Sequence, residues 1–260
     1  MKIRSDIILA NASDTGCVRS GNEDYYLFIE PQDDAEFEQC GRLILVADGM
    51  GGYKGGRIAS RLAADAIREV FSEDRKADPL AVLREGFGKA HRSIQECALT
   101  DPELQNMGTT CTAIILRHGR LSMGHVGDSR LYLIREEQAT RISRDHTVVG
   151  NLVARGLITE EEASRHDEKH VLSAALGVGP QVDADFIDNP IELKPGDILL
   201  LCTDGLHGVL SDGEIVSATT GQSLSDACAE LIAWAKVRGG PDNITLQLVG
   251  IGNIEDRSKE

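Results

Sequence analysis

Aromatic residues are scarce. Five Phe, four Tyr and one Trp make up 4% of the 260 residues, against 41% for apolar residues as a whole, so any core must be mostly aliphatic. No stretch approaches the ~18 apolar residues a transmembrane helix needs, and no membrane span is expected. Near the N-terminus Lys2 and Arg4 precede "IILA", but Asp6 interrupts and four apolar residues are too few for the core of a signal peptide. Basic charge is also short: 27 Lys and Arg stand against 42 Asp and Glu, a formal net charge of -15. A nucleic-acid binder would need a basic face, so nucleic acid is not an expected partner. The six cysteines (Cys17, Cys40, Cys97, Cys111, Cys202, Cys228) form no C-x-x-C pair and no Cys/His spacing of a zinc site. Most sit inside apolar patterns and read as reduced core residues of a cytoplasmic protein.

What is present is a mixed pattern. Ile58, Leu62, Ala66 and Val70 recur at helical spacing, as do Leu80, Leu83, Phe87, Ala90, Ile94 and Cys97, and later Leu224, Ala227, Cys228, Leu231 and Ala235. Between them lie strand-like runs, "TTCTAIILRHG", "RLSMGHVGD", "SRLYLIRE", "DILLLCTDG" and "NITLQLVGIG". Strands following one another in a meander predict antiparallel sheets and an α+β class, not a doubly wound parallel sheet. With no linker, repeat or low-complexity segment, a single domain over 1–253 with a short polar tail at 254–260 is expected. The charged segment from His146 to Ser173 has short helical pieces and no strong apolar face. It reads either as a surface excursion or as a flap beside a site.

Two apolar runs end abruptly on an acid: "RLILVADGMGG" at Asp48 and "DILLLCTDGLHG" at Asp204. "RSGNED" (Arg19 to Asp24), "VGDSR" (Val126 to Arg130) and "GGPDNIT" (Gly239 to Thr245) are of the same kind, each placing an Asp beside a strand end and a turn residue. One Asp-Gly alone is well explained as a tight turn. Five of them allow another explanation, in which the strand ends converge and a divalent cation relieves the repulsion among carboxylates. All-oxygen ligands favour Mg²⁺ or Mn²⁺ over zinc, and the glycine after Asp48 lets its carbonyl approach as a further ligand. Two such ions would acidify a bridging water and hold a phosphoryl group for in-line attack.

The set R-x-x-N-E-D, D-G-M-G-G, G-T-T (Gly108 to Thr110), G-D-S-R, D-G and G-G-x-D-N, in this order, is similar to the metal-dependent Ser/Thr protein phosphatases of the protein phosphatase 2C family, and spans nearly the whole chain. "RDHT", "RGLITEEEA" and "SAALG" resemble the flap segment of bacterial members. The resemblance implies a four-layer αββα sandwich, two antiparallel sheets flanked by helix pairs. It implies hydrolysis of phosphoserine and phosphothreonine at a centre of two Mn²⁺ or Mg²⁺ ions. Asp48 would bridge them, with the Gly49 carbonyl on one ion and Asp204 and Asp242 on the other. Asp24 would be the acidic ligand from "NED", with Glu23 as a water-mediated or alternative one. Asp128, with Asp204, would hold a weaker third ion, and Asn243 would orient Asp242. Arg19 would grip the substrate phosphate. Phosphoprotein substrates, a cognate Ser/Thr kinase and a monomeric state are the implied partners and form.

Two positions depart from the family pattern. Met50 stands where many animal relatives carry His, which puts His-based acid catalysis in doubt. Ala174 stands where many bacterial members carry Arg, which bears on substrate preference. Three other readings compete with this one. Cys111 and Arg117 form C-x-x-x-x-x-R, the spacing of cysteine-dependent phosphatases, but the intervening "TAIIL" is strand-like and lacks the glycine such a loop needs. A non-catalytic binding module would be favoured by loss of a ligand, and none is lost. A phosphodiesterase or nuclease would need a basic groove. Among the histidines, His125 reads as a core residue, His146 as a residue of the flap entrance, with contact to the site as the lesser alternative, and His207 as structural.

Overall fold

The strand Arg42–Ala47 is buried along its whole length, and the two faces of its side chains organise the molecule. Leu43 and Leu45 face a cluster shared with helices, whereas Ile44 and Val46 face a second β-sheet. This is the period-two alternation of a strand covered on both sides. The computed structural model describes residues 6–73 and 77–252; the polar tail expected at 254–260 lies outside them.

One sheet carries, in spatial order, Ile7–Asp14, Ile244–Ile251, Ile198–Cys202, Arg130–Arg135 and Gln138–Arg141. The other carries Asp185–Phe186, Arg120–Val126, Cys111–Arg117, Arg42–Ala47 and Tyr25–Ile29, with Ile191–Glu192 also paired to Arg120–Val126. Every pairing along both sheets is antiparallel, as expected. Ile44, Ile114, Met123, Leu131, Leu199, Leu201 and Val249 fill the space between the sheets. Gln247 is also buried there, and its Nε2 donates across the sandwich to the Leu45 carbonyl at 2.7 Å.

Each outer face is covered by a helix pair. Tyr53–Glu73 and Pro79–Ala98 pack on one sheet, Asp212–Thr219 and Leu224–Val237 on the other. The layers are therefore α, β, β and α. Local sequence starts these helices: Asp78 accepts hydrogen bonds from the Leu80 and Ala81 amides with Pro79 in the first turn, and Ser211 and Glu214 form a capping box.

The segment from His146 to Ser173 is closed at its base, because the Ser173 amide donates to the His146 carbonyl at 2.8 Å and Val148 to Val171 at 2.9 Å. Above this base stand two short helices, Val148–Ala154 and Glu160–Ser164, capped by Thr147 and Thr159.

The cysteine expectation needs a correction. Cys40, Cys111, Cys202 and Cys228 are buried, but Cys17 is exposed and Cys97 only partly covered. Cys17 sits in the polar "TGCVRS" stretch, where no apolar pattern supports burial.

Candidate active site

Register brings the acidic strand ends together. Tyr25 pairs with Ala47, so Asp24, just before one strand, lies beside Asp48, just after its neighbour. Cys202 pairs with Leu246 on one side and Arg130 on the other, which sets Thr203 and Asp204 between the Asp242-Asn243 and Asp128-Ser129 turns. At the far end of the Arg42–Ala47 strand, Arg42 is buried against Glu30 (2.5 Å) and Asp6 (2.7 Å), a pairing that fixes the strand lengthwise. Arg19, Glu23, Asp48, Gly49, Asp128, Asp204, Asp242 and Asn243 all line one cleft of about 820 Å³. Asp24 lies buried beneath it.

The remaining motif residues hold the carboxylates. Thr203 Oγ1 donates to Asp24 Oδ2 at 2.8 Å. The Asp48 amide donates to Thr110 Oγ1 at 2.9 Å, the Asp48 carbonyl accepts from the Thr110 amide and from Thr109 Oγ1, and Thr110 Oγ1 meets Ser129 Oγ at 2.7 Å. The Gly-Thr-Thr and Gly-Asp-Ser-Arg segments thus brace the loop that carries Asp48. A Cβ on Gly49 would strike the Gly56 carbonyl, and one on Gly56 would strike the Glu23 carboxylate. Only two glycines allow this approach of helix to loop.

Asn243 contacts Asp242 through its main chain. Its backbone N–H, not its side chain, donates to Asp242 Oδ1 at 2.8 Å. Its side chain ties down the "RSGNED" loop, accepting from the Glu23 amide (2.8 Å) and donating to the Thr15 and Gly21 carbonyls (2.9 Å each). Arg19 Nη2 donates to Asp242 Oδ2 at 2.6 Å from a half-exposed position.

A sequence model described as protein phosphatase 2C matches residues 29–244. The chain belongs to the protein phosphatase 2C family. It is 36% identical over 242 residues to the serine/threonine protein phosphatase PstP of Mycobacterium tuberculosis, covering 93% of this chain but only 44% of PstP. It is 33% identical over 254 residues to the protein phosphatase PhpP of Streptococcus pneumoniae, covering 94% of this chain and 97% of PhpP. The crystal structure of M. tuberculosis PstP superposes with a TM-score of 0.84 at 35% identity, over 95% of this chain and 99% of that one. The catalytic domain of PstP in complex with two manganese ions gives a TM-score of 0.79 at 34% identity, over 95% and 98%.

Charge within this protein phosphatase 2C cleft is crowded. Burial, and then the charges of Asp24, Asp204, Asp128 and Asp242, drive the Asp48 carboxyl far above the usual carboxylate range. Burial raises Asp24 to about 7 despite hydrogen bonds from Thr245 and Thr203, and raises Asp128 to about 8 with help from Asp204 and Asp145. Burial also opposes ionisation of Asp204, but contact with His170 (3.7 Å) and the nearby His207 hold it below the usual range. Asp24 Oδ1 and Asp204 Oδ1 are buried without any hydrogen-bond partner. Unpartnered buried oxygens, mutually destabilised carboxylates and a hard all-oxygen donor set fit a divalent cation. Among the described residues no three His, Cys, Asp or Glu side chains yet stand in a chelating arrangement. Arg19 engages Asp242, Thr203 engages Asp24 and His170 approaches Asp204.

His170, on the flap, was not foreseen, since nothing near it in sequence marks it. His207 Nε2 meets the Asp128 carbonyl at 2.9 Å, and so supports that turn from a half-buried position. His146 is buried beside the same turn, with Nδ1 accepting from the Gly127 amide at 3.4 Å. His125 is a core residue as expected, hydrogen-bonded to Thr112 and Arg144. Cys111 is fully buried and its thiol is pushed up by burial alone, the opposite of an activated nucleophile. Arg130, the last residue of Gly-Asp-Ser-Arg, is committed to Asp145 at 2.6 Å and ties the flap entrance to the sheet.

Proposed function

We propose that this protein is a metal-dependent serine/threonine phosphatase that hydrolyses phosphoserine and phosphothreonine in proteins. The observation that carries the reading is the convergence of Asp24, Asp48, Asp128, Asp204 and Asp242, with two buried carboxylate oxygens unpartnered. Asp24, Asp48, Asp204, Asp242 and the Gly49 carbonyl would hold two ions, with Asp48 shared between them, and Asp128 with Asp204 a weaker third. Bound there, Mn²⁺ or Mg²⁺ supplies Lewis acidity, both for activating water as the nucleophile and for neutralising phosphoryl charge. The manganese-bound PstP structure supports Mn²⁺ as the first choice.

The protein's own groups do the positioning. Thr203 keeps one Asp24 oxygen occupied and leaves the other to face the acidic cluster. The Asn243 amide turns Asp242, and Thr110 with Ser129 keeps the Asp48 loop from drifting. Arg19, at the cleft mouth, exchanges Asp242 for the phosphate oxygens of the substrate, which its planar guanidinium matches well. Met50 lines the cleft and has no proton to give, so the leaving oxygen is protonated from the Asp128 side.

The bacterial relatives named above support a role in reversing a Ser/Thr kinase in bacterial signalling. We assign the activity to one catalytic domain acting as a monomer in the cytoplasm, a setting consistent with six cysteines that form no disulfide. No helix among the described residues is long and apolar enough to cross a membrane. The direct test is release of phosphate from a phosphothreonine peptide with added Mn²⁺, beside a dinucleotide diester. Turnover of the peptide alone supports the reading; turnover of the diester alone replaces it with a phosphodiesterase.

A further inference from the structure

Beside the cleft runs a second groove of about 370 Å³, between the end of the flap and the loop after Asp48. Met50 and Leu172 line both, so the two cavities are adjacent and share a wall. They differ in charge more than in polarity. The cleft is lined with carboxylates and basic side chains, whereas Asp183 is the one charged residue among those lining the groove, where Ser173 and Gln181 stand beside Met50, Leu172, Ala174 and Val178. Val178 is 47% exposed, an apolar side chain at the surface with its Cγ2 and the Met50 Cε both lying over Gly108.

The Val178 side of the groove is held by hydrogen bonds to two other elements. Thr109 and Leu176 exchange backbone hydrogen bonds of 3.1 and 2.9 Å, and Thr109 Oγ1 in turn donates to the Asp48 carbonyl. Gln95 Nε2 donates to the Gly179 carbonyl at 2.6 Å, and the Gly177 amide donates to His91 Nδ1 at 3.1 Å. The wall bearing Val178 is therefore tied to the helix Pro79–Ala98 on one side and to the Asp48 loop on the other.

We propose that this groove is a subsite for a large aliphatic side chain flanking the phosphorylated residue, and that Val178 and Met50 set that preference. The inference rests on the phosphatase reading and adds a substrate class to it. A chain lying in the cleft with its phosphate over Asp48 passes the shared wall of Met50 and Leu172. An aliphatic neighbour entering there leaves water for an apolar surface, whereas an acidic one meets Asp183 and loses its hydration.

The test is a panel of phosphothreonine peptides carrying Leu, Asn or Asp, one at a time, at each of the positions flanking the phosphoresidue. Wild-type protein should favour Leu over Asp at one position by about tenfold in kcat/KM, expressed mainly in KM, the scale of partly burying one aliphatic side chain. Val178→Lys should abolish the Leu preference and turn it toward Asp at that same position. Val178→Ser, a smaller change at the same exposed site, should abolish the preference without reversing it. Peptides hydrolysed at equal rates by the wild type, or a Leu preference that survives both substitutions, would overturn the subsite while leaving the phosphatase reading intact. Hydrolysis of no phosphopeptide at all would overturn both.

Discussion

Arg19 Nη2 lies 2.6 Å from Asp242 Oδ2, so the residue assigned to the substrate is bonded to a residue assigned to the metal. The pair neutralises one carboxylate of a crowded cleft. On the proposed assignment, a cation held by Asp242 would compete with Arg19 for that carboxylate, and a guanidinium freed in this way would be available to the phosphate.

Arg19→Ala should raise KM for a phosphopeptide without weakening Mn²⁺ binding. Loss of one charge-assisted contact is worth about 1.5–3 kcal/mol, and the low end applies at a side chain that is 51% exposed. Calorimetry with Mn²⁺ and steady-state kinetics separate the effects. Lost Mn²⁺ affinity with unchanged KM would make Arg19 a support for the metal site instead.

Asp128→Ala should slow the reaction while leaving Asp24, Asp48, Asp204 and Asp242 able to bind two ions. The leaving oxygen then loses the acidic group on the flap side, and Met50 cannot replace it. The penalty should be larger for a phosphoserine peptide, whose alkoxide leaves poorly, than for an aryl phosphate, whose phenolate needs little protonation. Equal losses on both substrates would contradict this role.

Without metal, stability should fall as pH rises from 6.5 to 8. Asp24 and Asp128 have folded-state values raised to about 7 and about 8, and burial and neighbouring carboxylates hold Asp48 well above the usual carboxylate range as well. A carboxyl raised on folding keeps a proton that the unfolded chain has released. Its stabilisation is complete below the unfolded value, near 3.9, and is lost as pH climbs through the folded value. His125 and His207, held down to about 4 by burial, act in the opposite sense, but only below the unfolded His value near 6.5, which is why the window starts there. At ~1.4 kcal/mol per proton per pH unit, the loss is on the order of 2 kcal/mol. Denaturant unfolding in chelator at several pH values measures it, and added Mn²⁺ should flatten the slope.

The acidic strand ends were legible because an apolar run and the charge that ends it are both written locally. Leu43 to Ala47 are apolar without a break and Asp48 follows, whereas the split of Leu43 and Leu45 from Ile44 and Val46 between two clusters shows only in the fold. The long helices and five of the strands were readable for the same reason. What escaped depends on partners far away in sequence. Thr203 matters because Asp24 lies 179 residues earlier, and Thr110 and Ser129 meet only when two strands pair. The helix Asp212–Thr219 has a capping box but little apolar periodicity, and Ile7–Asp14 becomes a strand through pairing with Ile244–Ile251. His170 reaches Asp204 only because the flap folds back over the cleft.

The central claim is that converging carboxylates, and no thiol, make this chain a metal-dependent phosphatase. Its most direct test is phosphate release from a phosphothreonine peptide by wild-type, Asp48→Asn and Cys111→Ser proteins, each with Mn²⁺ and after exhaustive chelation. Activity should require Mn²⁺, vanish in Asp48→Asn and survive in Cys111→Ser. Full activity after chelation, or a folded Cys111→Ser protein that is inactive while Asp48→Asn still turns over, would contradict it.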